Sequence, residues 1–508
     1  MHGASSSVPS TTGRAGSRAR RVLMTAALAV GAVVTSGGCV QVSVARSPRA
    51  PTATAYAPTP RENAFLDTLS RRTFDFFWET TNAQNGLTPD RWPTKSFSSV
   101  AAVGFALTAY PIGVERGWVT RDAARQRVLT TLRFFWTAPQ GPQGADVTGY
   151  KGFFYHFLNM ETGRRFATVE LSTIDTSLLL AGALTCRQYF DRDDPGDREV
   201  RALTDSIYRR VDWNWARDGD VLVSMGWRPE AAQHQNTRGF IVSRWAGYNE
   251  GMLVYALALG SPTHPVDPAA WTQWTRTYKW DRFQGEEFVQ FAPLFGHQYS
   301  HLWIDYRGIR DEYMRGRGID YFENSRRATR SQRAYATANP AQWHGYGPDV
   351  WGLTASDGPL DSTLVIDGRA RTFHTYWARG VGTDEMNDDG TLVPTAAGGS
   401  VPFAPEIAIP ALVAMRERYG DPLFGRYGFV DAFNPTMRTP GPRLQHGRIV
   451  PGVSWFDTDY LGIDQGPILA MVENWRNELV WKLMRRDADV VRGLCRAGFT
   501  GGWIDGRC

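Results

Sequence analysis

Two stretches of the chain, VAAVGFALTAY (100–110) and NEGMLVYALALG (249–260), are apolar around nearly the whole helical circumference. A helix of that kind has to be covered by protein on every side. Each is too short to cross a bilayer, so the cover has to be other helices. RDAARQRVLTTLRFF (121–135) has one apolar face and suits an outer layer. Further helical periodicity falls at roughly 62–81, 170–188, 198–211, 245–259, 267–277, 286–300, 309–336, 403–419 and 464–486. Alternating inner and outer helices predict an all-α toroid whose long, aromatic and Gly-rich connections gather on one face. GDVLVSMGW (219–227) and STLVIDG (362–368) read as small hairpins within those connections.

Composition removes several classes. Aromatic residues make up 13% of the 508, far too many for a disordered chain. The net charge of +5 comes from the N-terminus, where Arg14, Arg18, Arg20 and Arg21 stand without an acid. The remainder is nearly neutral, which gives no electrostatic basis for nucleic-acid binding. No Gly-rich phosphate loop follows a strand, so no nucleotide cofactor is expected.

The basic segment 14–21 precedes an apolar run, VLMTAALAVGAVV (22–34), and then small residues ending in Cys39. This pattern reads as a lipoprotein-type signal over 1–39 with Cys39 as the lipid anchor, followed by a Pro/Ala/Thr-rich tether over 40–61. The expected chain is exported, periplasmic or membrane-anchored, and monomeric. The body then spans 62–487 and a tail 488–508. Cys186, inside LLLAGALTC, reads as a buried small hydrophobe, and Cys495 and Cys508 as a disulfide.

Carboxylates at the mouths of apolar helices are the strongest chemical signal. Glu250 enters a buried helix beside Trp245 and Tyr248, where desolvation would hold its proton on at neutral pH. Asp175 follows Ser172 in ELSTIDTSLLL, near His156, Arg165 and Glu170. Asp464 opens the helix after YLGIDQGP. First-turn capping is the competing structural reading for all three. Glu473 and Arg476, three apart, read as a helix-surface pair. FGHQYSHLW supplies His297, Gln298, Tyr299, His301 and Trp303; with Tyr346 and Asp357 these are candidate contacts to a polyhydroxylated substrate. His297 and His301 lack a third zinc ligand, so no metal is expected. The acids at 384, 385, 388 and 389 read as a solvated loop.

Taken in order, GFFYHFL, TGRRF, VELSTIDTSLLLAGAL, RWAGYNEGMLVYALALGSP, LFGHQYSHLWIDYRG, YGPDVWGLTASDGP and YLGIDQGPILAMVENWR cover about Phe65 to Arg485. They resemble the glucoamylase-like domain family, which includes bacterial endo-β-1,2-glucanases of glycoside hydrolase family 144 and relatives fused in cyclic β-1,2-glucan synthases. The resemblance implies a single (α/α)6 barrel, a β-glucan polysaccharide or oligosaccharide as substrate, inverting hydrolysis and no metal or cofactor. It makes Glu250 the general acid, Asp464 and Asp175 rival bases, and Glu170 a base or substrate contact. His156, Arg165 and Tyr248 would bind sugar. Competing outcomes are glycosyl transfer or another linkage on the same barrel, a non-catalytic glucan-binding lipoprotein, and a lyase.

Overall fold

The computed structural model describes residues 56–234 and 238–508; the signal and most of the tether lie outside them. The described chain is mostly helical with small sheets, and no described helix is long and apolar enough to cross a membrane. Helices Val100–Glu115, Thr173–Tyr189, Gly251–Gly260 and Gly462–Asn477 are buried over most of their length. Val100–Glu115 packs against both Thr173–Tyr189 and Gly462–Asn477. Thr173–Tyr189 in turn packs against Gly251–Gly260, and Tyr299–Trp303 touches both Gly251–Gly260 and Gly462–Asn477. Outside them, Arg121–Thr137 packs on Pro195–Arg209, joined by Arg121 and Arg125 to the buried Asp197 at 2.7 and 3.1 Å.

The inner helices meet backbone to backbone. A Cβ on Gly104 would lie 2.2 Å from the carbonyl oxygen of Leu178, and one on Gly182 would lie 2.1 Å from that of Gly104. Glycine is the residue that allows this approach. The same device joins Gly251–Gly260 to Ala488–Arg496, where a Cβ on Gly493 would lie 2.0 Å from the oxygen of Ala256. The expected tail is therefore a working part of the body. A Cys495–Cys508 disulfide with S–S 2.00 Å closes it, and Cys186 is buried and free.

Several sequence expectations change here. The stretch expected as a helix over 286–300 opens as the second strand of a hairpin, Trp280–Phe283 with Glu286–Val289. Gln284 and Gly285 turn it with positive φ of 49° and 87°, the conformation of a two-residue hairpin turn. STLVIDG does form a hairpin, turned at Asp367-Gly368. Of GDVLVSMGW only Gly226–Trp227 is strand. The expected 309–336 and 464–486 helices are each broken, at Gly318 (φ 74°) and Glu478 (φ 61°). Glu473 pairs with Arg116 at 2.7 Å, and Arg476 with Asp67 at 2.5 Å, instead of with each other. Of the four acids in that loop, only Asp384 and Glu385 are exposed. Asp389 is buried against Arg379, and Asp388 accepts from Tyr335, Tyr346 and Trp343.

The glycine contact yields a test. Gly182→Ala is expected to cost about 2–3 kcal/mol, because the added methyl meets backbone that cannot rotate away. Chemical denaturation of the variant measures it, and an unchanged midpoint would show that the helices separate freely.

Candidate active site

The three acids singled out from the sequence each sit at the N-terminus of an inner helix. Asp175 lies in the first turn of Thr173–Tyr189, Asp464 in that of Gly462–Asn477, and Glu250 is the residue before Gly251. Capping accounts for them unequally. Ser172 caps its helix by accepting from the Asp175 N–H at 3.2 Å, and its hydroxyl donates to the Asp175 carboxylate. Neither Glu250 nor Leu461, the residue before Gly462, makes a side-chain cap. Glu250 Oε2 is sealed from solvent without a hydrogen-bond partner, an arrangement that costs stability and so calls for another use.

Burial sets the protonation of this group. The Glu250 carboxyl is pushed up to about 7, chiefly by desolvation, with the nearby Asp175 charge adding to it. Asp464 is also raised by burial and by the charges of Asp357, Asp457 and Asp90. Asp431, fully buried, is raised well above the usual carboxylate range by burial and by Asp464 and Asp357. Once protonated, Asp431 donates to the Asp464 carboxylate, which leaves Asp464 as the charged partner. The Tyr299 hydroxyl, donating to Ile463 O at 3.1 Å, lies within electrostatic reach of Asp464, Glu250 and Asp175 together.

His156 links the second wall. Its Nδ1 is 2.9 Å from Glu170 Oε1 and its Nε2 is 3.5 Å from Asp175 Oδ1. Burial opposes its charge, but the two carboxylates win and raise it to about 9. It is therefore an imidazolium at neutral pH, and it holds Glu170 down to about 2 with help from Arg228. Its ring stacks on Phe157 at 3.9 Å.

On the opposite wall Arg91 donates to Asp357 at 2.5 Å and to Asp90 at 3.2 Å, while Asp431 accepts from the Asp357 N–H at 2.7 Å. Asp357, Asp431 and Asp457 each bring one carboxylate oxygen within 4.8 Å of the others. Three hard oxygens at that spacing could hold a divalent cation, or the repulsion can be relieved by the proton on Asp431. Asp90, Arg91, Asp431 and Asp457 escaped the sequence reading. The usable signal was a lone acid inside an apolar run, as in YGFVDAF.

The remaining candidates are placed elsewhere. His297, Gln298, His301 and Trp303 are fully buried, each with one polar group bonded to neighbouring protein, which places them in the core; His297 Nδ1, Gln298 Oε1 and His301 Nδ1 have no hydrogen-bond partner. His297 Nε2 is 3.0 Å from Phe291 O, Gln298 donates to Ala396 O and Ser400 Oγ at 2.8 Å, His301 Nε2 is 3.1 Å from Ser325 Oγ, and Trp303 donates to Thr108 at 3.0 Å. Desolvation lowers both histidines, His297 to about 4. Tyr248 is buried between Tyr321 and His297. The Arg165 guanidinium is engaged by Glu230 and Val169 O, and Tyr346 by Asp388. Most of this dense polar-aromatic segment is packed into the core, which its composition alone does not reveal.

Two outcomes test this electrostatic arrangement. A general acid works protonated and a general base ionised; with the Glu250 and Asp464 carboxyls both raised to about 7, the pH profile of kcat should peak near neutrality and fall on both sides, the alkaline limb being that of Glu250. Glu250→Gln should remove that limb and about 10²–10⁴ of the rate without lowering the melting temperature. If a proton holds the Asp357–Asp431–Asp457 group, dialysis against EDTA leaves the melting temperature unchanged; a clear fall would mean that a cation holds it.

Comparison with known proteins places the chain among its relatives. A family model described as "Putative glucoamylase" matches residues 242–488. The curated exo β-1,2-glucooligosaccharide sophorohydrolase (non-reducing end) of Parabacteroides distasonis is 28% identical over 87% of the chain, which spans 58% of that protein's length. The crystal structure of a putative glucoamylase from Bacteroides uniformis matches with 31% identity and TM-score 0.74, over 88% of this chain and 100% of the other. The endo-β-1,2-glucanase of Chitinophaga pinensis, solved with sophorotriose and glucose, matches with 28% identity and TM-score 0.73, over 88% of this chain and 100% of the other. With acids at the mouths of buried helices and relatives of this extent, the chain belongs to the glucoamylase-like family of glycoside hydrolases.

Proposed function

We propose that the protein hydrolyses β-1,2-glucan with inversion, on an (α/α)6 barrel. The observation that carries the reading is the solvent-sealed Glu250 carboxyl, whose Oε2 has no hydrogen-bond partner, sharing the electrostatic surroundings of the Tyr299 hydroxyl with Asp464. The linkage is supported by the relatives, which are named for β-1,2-glucan and its oligosaccharides. The packing of successive inner helices supports the barrel.

In this reading Glu250, protonated at neutral pH, gives its proton to the leaving glycosidic oxygen. A water attacks the anomeric carbon from the opposite face and gives its proton to Asp464, whose charge is kept by the protonated Asp431. The sum is one water consumed and one glycosidic bond broken. Asp175 is the weaker base, since Ser172 and His156 already engage its oxygens. It and Glu170 instead hold His156 as a cation that can donate to sugar hydroxyls. The apolar run before Cys39 supports export with a lipid anchor.

The test is incubation of the chain from residue 40 with linear β-1,2-, β-1,3- and β-1,4-glucans, with Glu250→Gln alongside. Short products from the β-1,2 polymer alone, released as the α-anomer and absent with the variant, are expected. Release of the β-anomer would overturn inversion, and cleavage of the other polymers instead would overturn the linkage.

A further inference from the structure

An open cavity of about 570 Å³ adjoins the acids without including them; its walls include Arg91, Trp92, Phe97, Asn159 and Phe166. That volume lies within the ordinary range for ligand sites of about 300–1,000 Å³. Two strand pairings tie it to the catalytic walls. Arg91–Trp92 pairs with Tyr460–Leu461, immediately before the Asp464 helix. On the other side Ser98–Ser99 pairs with Phe157–Leu158, next to His156.

The lining is aromatic and rigid. Phe97 contacts Phe157 at 4.1 Å and Phe166 at 4.7 Å between ring centroids, and Phe157 carries the stacked His156. Trp92 and Phe166 are each 38% exposed, which is unusual for rings of this size in a concave wall. Thr94 N–H donates to Asp459 at 3.0 Å, and Asn159 Oδ1 ties its own loop through Glu161 and Thr162 N–H groups. Its charges do not favour an ionic occupant. Arg91 is committed to Asp90 and Asp357, and the cavity's other lining charges, Lys95 and Glu161, are opposite in sign.

We propose that this cavity is a remote glucan-binding shelf, on which Trp92, Phe97 and Phe166 hold sugar units of a long chain beyond those at the acids. The inference rests on the glucanase reading of the adjoining site. Exposed ring faces beside hydroxyl and amide groups suit neutral sugars, which present an apolar face and a polar edge. Binding energy gathered there is remote from the bond that breaks. It therefore favours polymers over short oligosaccharides.

The experiment compares wild type with Phe166→Ala and Trp92→Ala on β-1,2-glucan polymer and on a β-1,2-linked tetrasaccharide. The ratio of polymer to tetrasaccharide KM should rise about fivefold in each variant. Equal changes on both substrates, or none, would overturn the shelf. Polymer binding is measured separately by affinity electrophoresis in a Glu250→Gln background, with and without Phe166→Ala. Binding weakened by Phe166→Ala supports the shelf even if wild type cleaves nothing, a result that would count against the glucanase reading alone. No binding, or binding insensitive to Phe166→Ala, overturns the shelf. Unchanged melting temperatures confirm that the variants fold.

Discussion

The contact on which the architecture depends is the meeting of two helices with no side chain between them, at Gly104 and Gly182. Apolar burial draws helices together but does not fix their spacing; a pair of glycines does, because the stop is backbone against backbone. Once Val100–Glu115 and Thr173–Tyr189 are locked, their entrances are locked too. The strand residues Ser98–Ser99 and Leu171–Ser172 lead directly into them. His156, Glu170 and Asp175 inherit their positions from this seam.

A second constraint runs against the first. Helix N-termini favour negative charge, while burial disfavours it. At Glu250, burial prevails and the carboxyl keeps its proton to about pH 7. At Glu170, which is part exposed and beside an imidazolium, charge prevails. The same residue type keeps its proton in one place and is a fixed anion in another because of its surroundings, and those surroundings come from helix packing.

How much of this was legible in the sequence follows the same division. Glu250, Asp175 and Asp464 stood out because an acid at the mouth of an apolar helix is costly and visible in one line of text. The all-round apolar helices were legible for the same reason. Arg91, Asp357 and Asp431, far apart in sequence and joined across loops, carry no local periodicity and could not be grouped without the fold. FGHQYSHLW misled in the opposite direction: most of the polarity that suggested a binding surface is packed into the core. The 286–300 segment misled because two residues at positive φ make a hairpin that side-chain periodicity does not register.

Helix Ala488–Arg496 lies along Gly251–Gly260, the helix that Glu250 opens, with Gly493 and Gly260 at the seam. A ribosome delivers that helix after every residue it supports. Until it emerges, the far end of the Gly251–Gly260 helix, around Ala256 and Gly260, is uncovered. The nascent chain therefore closes this inner helix last, after the other helices packed around it have been made.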